Sequence, residues 1–146
     1  MTTFRFNLER VLQWRQTQLE LEEIKFKKAG AAVADLERAR VELEAAGARA
    51  EIQVRQWSPL AGRDVSALGG FRIHVEMEER EMAGQLAQRR KELQAQENAM
   101  LEARRRYRLL ERLKERRRAE WQAAGDRELE ELASESFLAG WSRGGR

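Results

Sequence analysis

Cysteine is missing from all 146 residues, proline occurs once, at Pro59, and histidine once, at His74. Without thiols there are no disulfides, thiolate-bound zinc, iron–sulfur clusters or cysteine nucleophiles, and a reducing cytoplasm fits. A single imidazole cannot build a histidine metal cluster or a two-histidine mechanism within one chain. No apolar run approaches the roughly 18 residues of a membrane span, and the first twelve residues lack a signal peptide's continuous apolar stretch. A soluble protein is expected. The hydrophobic class makes up 42% of the chain, but 21 of its members are Ala, so a thick globular core is not expected.

What is abundant is charge and helix-forming residues. Charged side chains make up 36%, and the Ala, Glu, Arg, Leu and Gln bias favours long helices because these residues lose little freedom there. The formal net charge is +3, unevenly spread: Arg104 to Arg118 holds nine Lys/Arg and two Glu. The basic character therefore belongs to one segment, and the rest of the chain is slightly acidic. Helix breakers gather in Ser58-Pro59-Leu60-Ala61-Gly62-Arg63-Asp64 and in Gly69-Gly70, which predicts one coiled-coil unit over 1–146. Its expected parts are a helix from about 4 to 57, a bend at 58–70, a helix from about 71 to 138 and a frayed tail at 139–146.

A seven-residue frame in the first arm aligns Leu12, Leu19, Phe26, Val33 and Val54, with Leu8, Ala29, Leu36, Leu43, Ala50 and Trp57 on the companion row. Arg5, Arg15, Glu22 and Arg40 interrupt the stripe. The second arm repeats the pattern with Leu86, Leu93, Met100, Tyr107 and Trp121, and with Val75, Met82, Ala103, Leu110 and Ala124, but Arg89, Gln96, Lys114 and Arg117 make it poorer. Past Trp121 the frame slips at Leu129 and Leu132, which relaxes a left-handed supercoil. The fold class predicted is all-α: an elongated, antiparallel two-helix coiled-coil hairpin, monomeric, because closing a short bend costs less entropy than joining two chains. Folding about residue 64 places Arg5 near Ala123 and leaves 124–146 overhanging.

The chemistry-bearing types are abundant but poorly arranged for catalysis. Carboxylates such as Glu76, Glu78, Glu79, Glu81, Glu128, Glu130 and Glu131 lie along helices, and a two-helix hairpin offers no cleft to shift their pKa. No GxxxxGK[ST], GxSxG or HExxH pattern occurs, so no catalytic residue, cofactor site or metal site is expected and the chain reads as a non-enzyme. Arg105, Arg108, Arg112 and Arg116 recur three or four residues apart on one outward face, suited to an acidic protein surface, to phosphates, or to solvation alone. Trp14 falls off the seam beside Phe4, Phe6 and Val11, an apolar patch that fits partner binding or local packing. Trp57 and Trp121 read as seam anchors, and Trp141 joins Phe137 and Leu138 near the carboxyl end.

Three segments resemble a known family. Phe4-Arg5-Phe6-Asn7-Leu8-Glu9-Arg10-Val11-Leu12 is similar to the F-x-F-x-L-x-x-[VL]-L opening of the FliJ family of flagellar export proteins. Leu110-Glu111-Arg112-Leu113-Lys114-Glu115-Arg116-Arg117-Arg118 resembles its E-x-L-K-E-R/K-R stretch, and Glu128-Leu129-Glu130-Glu131-Leu132-Ala133 its E-L-D-E-x-A ending, with Glu130 in place of Asp. The resemblance implies a stalk and adaptor of the flagellar type III export apparatus, cytoplasmic and held peripherally at the inner membrane through partners. Those partners are the hexameric export ATPase (FliI), which it would activate, the export gate protein (FlhA) and export chaperones.

On this sequence, the resemblance implies ATPase-ring contact at Phe4, Phe6, Leu8, Leu110, Leu113, Lys114, Arg116, Arg117, Leu129 and Leu132. Gate contact would fall at Leu43, Phe71, Val75 and Met82. Two other readings of the residues stay open: a basic helical nucleic-acid-binding protein and a structural coiled-coil homodimer.

Overall fold

The computed structural model describes residues 2–56 and 62–145. Among these the chain forms two helices and no strands: α1, Glu9–Arg55, and α2, Gly62–Gly144. They pack against each other as the all-α hairpin that the two heptad stripes predict. The residues group into two compact units, one formed by Met1–Leu19 with Glu102–Arg146 and the other by Glu20–Leu101.

In the Glu20–Leu101 unit the buried side chains are Val33, Leu86 and Met100, all from the two predicted stripes. Phe26, Leu36, Leu43, Val75, Met82 and Leu93 are half-buried around them. Small residues let the backbones approach: a Cβ added at Gly30 would lie 3.9 Å from Leu93 Cδ1, and one at Gly47 would lie 3.6 Å from Val75 Cγ1. Charge pairs flank the seam, with Arg72 Nε donating to Glu51 Oε1 at 2.5 Å and Arg90 Nη2 to Glu37 Oε1 at 3.1 Å. Two of the polar interruptions meet each other, since the Gln96 amide donates to the Glu22 carboxylate. A half-buried carboxylate is thereby hydrogen-bonded rather than stranded. Arg40, another interruption, stays exposed and pairs with Glu44 along its own helix at 3.4 Å.

The helix limits differ from the sequence expectation at three places. α1 starts at Glu9 rather than near Phe4. Thr2 to Phe6 run outside it, the Glu9 N–H donating to the Phe6 carbonyl at 3.1 Å; Asn7 favours the turn, and Glu9 suits the positive helix end. α2 starts at Gly62 rather than near Phe71, so Gly69 and Gly70 lie within a helix whose Leu68 and Val75 are held at the seam. Each glycine costs about 1 kcal/mol there, which a helix of this length absorbs. The remainder of the expected 58–70 bend, and the expected anchor Trp57, lie outside the described residues. Finally, 139–144 is helical rather than frayed, with Ser142 Oγ donating to the Ala139 carbonyl at 3.0 Å.

The register is also tighter than a fold about residue 64. Glu51 meets Arg72 and Gly47 meets Val75, pairs centred near residue 61, because α2 begins well before the expected end of the bend.

Candidate docking site at the chain ends

In the unit built from Met1–Leu19 and Glu102–Arg146, Leu12 is buried, and the half-buried Tyr107, Leu110 and Leu113 of α2 lie on the same seam. Lys114, an expected flaw in that seam, has its Nζ 2.8 Å from Glu9 Oε2, so the cation is neutralised at the start of α1. Beyond this point the irregular amino-terminal segment takes over from α1. The Phe4 ring packs on Trp121, centroids 5.9 Å apart and planes inclined at 51°, a tilted arrangement that the ring quadrupoles favour.

This packing creates an open groove of about 1220 Å³, floored by Phe4, Phe6, Leu8 and Trp121 and edged by Leu113, Arg117 and Glu120. Arg117 Nη1 lies 3.6 Å from Glu120 Oε2 at its rim. The groove thus has an aromatic floor and a rim that carries Arg5, Arg117 and Glu120, the mixture of apolar anchor and polar rim that suits a protein segment.

Of the residues assigned to ring contact, the structure brings Phe4, Phe6, Leu8, Leu113 and Arg117 to this one groove. Leu110 is half-buried on the seam, Lys114 is paired with Glu9, and Arg116 is exposed outside the groove. Leu129 and Leu132 lie in a stretch of α2, from Asp126 to Gly144, in which every residue is exposed. Phe137 and Trp141 in that stretch are 73% and 75% exposed. The Ala124 to Arg146 overhang expected from the sequence is thus seen from Asp126 onward.

Trp121 and Glu120 complete the groove and were not among the residues assigned to ring contact. Trp121, on the second-arm stripe, packs on Phe4 and lines the groove. The clue was the register, which places it opposite Phe4. Trp14, by contrast, lies outside the groove, 52% exposed, with the Arg15 guanidinium 4.7 Å from its ring centre.

The four residues assigned to the gate are dispersed in role. Leu43, Val75 and Met82 are half-buried, Val75 against Gly47, while Phe71 is exposed. Phe71 and Val75 border a shallow depression of about 350 Å³ with Arg72, Glu44 and Glu79, which is smaller and more acidic than the groove at the chain ends. His74 is exposed and lies 3.0 Å from Glu78, and among the described residues no three His, Asp or Glu side chains are grouped to hold a metal. No described helix is long and apolar enough to cross a membrane.

Neither a family model, nor a curated protein, nor a solved structure matches this sequence. The local geometry therefore carries the functional reading.

Proposed function

We propose that the chain is a non-enzymatic stalk and adaptor of a flagellar type III export apparatus, binding and activating the export ATPase ring through its chain ends. The observation that carries this reading is the groove in which Phe4, Phe6, Leu8, Leu113, Arg117 and Trp121 converge, followed by a helical stretch with Leu129, Leu132, Phe137 and Trp141 exposed. Apolar surface left in water at a helix end is recovered on docking, at about 25 cal/mol per Å² before ordering costs. The motifs similar to FliJ proteins cover Phe4, Phe6, Leu8, Leu113, Arg117, Leu129 and Leu132 among these residues. Contact with the export gate and with export chaperones, and a peripheral position at the inner membrane, belong to the same proposal.

The test is ATP hydrolysis by the cognate export ATPase with the intact chain, with a Phe4→Ala/Phe6→Ala variant, and with a chain ending at Gly125. Stimulation by the intact chain and about a tenfold weaker half-maximal effect for both variants is expected. No stimulation by the intact chain overturns the proposal. A second reading, nucleic-acid binding, is favoured by Arg105, Arg108, Arg112 and Arg116, which are exposed and have no ion-pair partner among the described residues. It requires affinity for unrelated duplexes that falls steeply with salt, independent of Phe4 and Phe6.

A further inference from the structure

The outward face of α2 between Arg105 and Phe137 carries a pattern that neither the hairpin nor the groove uses. At about 100° per residue, Arg105, Arg108, Arg112, Arg116, Ala119, Ala123, Asp126, Glu130, Ser134 and Phe137 fall within an arc of about 80°. All ten are exposed. Leu113, Arg117 and Trp121, which face the groove or the seam, lie about 100° to 180° round the helix from the middle of the strip, so the strip is open to a partner.

The strip has one sign of charge at each end, and it is complementary to itself when reversed. Equal steps on either side of position 121 place Ala119 against Ala123, Arg116 against Asp126, Arg112 against Glu130 and Arg105 against Phe137. None of Arg105, Arg108, Arg112, Arg116, Asp126 or Glu130 has an ion-pair partner among the described residues. A foreign acidic helix could match the arginines alone, but an antiparallel second copy matches both ends at once, which is the property of an isologous two-fold interface.

We infer that this face of α2 is a self-association surface, on which two copies pair antiparallel about a two-fold axis level with Trp121. Arg112 of each copy faces Glu130 of the other and Arg116 faces Asp126, and the Ala119 and Ala123 methyls let the helices come close at the axis. Arg105 lies over the Phe137 ring of the other copy, a cation–π contact at each end. The strip is about 48 Å long and about 10 Å wide, so the two copies bury roughly 1000 Å² in total, at the low end for a specific interface. The dimer is therefore weak, reversible and salt-sensitive, since its ion pairs lie within a Debye length of solvent. It does not depend on the stalk reading.

Sedimentation velocity over a concentration series, at low and high salt, tests it with three full-length chains: the natural one, Arg112→Glu and Glu130→Arg. The natural chain is expected to dimerise at low salt, with an affinity that falls as salt rises. Each reversal puts two like-charge contacts in its own homodimer and should weaken association about 10-fold or more. An equimolar mixture of the two variants restores opposite charges at both contacts and should dimerise like the natural chain. A chain that is monomeric at every concentration overturns the inference, including one that binds duplex nucleic acid through the same arginines. So does a dimer indifferent to both reversals, or a mixture that fails to recover.

Discussion

Leu86 is 3% exposed, the most deeply covered side chain among the described residues, yet no described side chain is fully enclosed. A two-helix packing has one seam, and every seam residue has solvent on at least one flank. Burial is shared out over many half-covered positions, so a truncation at the best-covered one leaves a gap that water and neighbouring side chains partly fill. Leu86→Ala should destabilise the chain by about 2–3 kcal/mol, near the lower end for core leucines, read as a shift of the urea midpoint with unchanged slope. An unaltered midpoint would mean that the seam is not formed there in solution. The polar seam residues show why an interruption is tolerated: Glu22 and Gln96 satisfy each other, and Lys114 and Glu9 do the same. In sequence Glu22, Gln96 and Lys114 read as separate interruptions of the two stripes.

The helices are uneven elements. α2 continues well past the start of α1, and from Asp126 to Gly144 it has no buried residue. This stretch has only its intrinsic propensity to hold it, with no tertiary packing, so it opens from its free end. Amide hydrogen exchange should therefore show 126–145 exchanging orders of magnitude faster than 80–100, where Leu86 and Met100 are buried. Protection of 126–145 should rise on adding the export ATPase if those residues dock, and should rise with protein concentration if the two-fold pairing forms.

At the scale of the whole chain, the two units differ in what they need to form. The Glu20–Leu101 unit is one continuous stretch whose helices are joined locally, whereas the other unit joins Met1–Leu19 to Glu102–Arg146 and must close a far longer stretch of chain. Loop-closure entropy grows with that separation, though slowly. A fragment spanning 20–101 should remain helical by circular dichroism and unfold cooperatively, while the 1–19 and 102–146 segments, mixed as separate peptides, should not associate measurably. Loss of helix in the 20–101 fragment would show instead that its seam depends on the chain ends.

Period and composition are local properties, and they were enough to set the helical class, the two stripes and the long continuous helices. Helix ends and register are decided by the sum of contacts across the seam: those contacts hold Gly69 and Gly70 inside α2 and shift the pairing so that Glu51 meets Arg72. Phe4 and Phe6 were legible as candidates from the apolar patch they make near the amino end and from the resemblance of their segment to the FliJ opening. Their convergence with Trp121 and Glu120 in one groove was not, because it depends on α1 starting at Glu9 and leaving an irregular segment free to lie across α2. A sequence states which faces are apolar; only packing settles which residues of two distant segments come to share one surface.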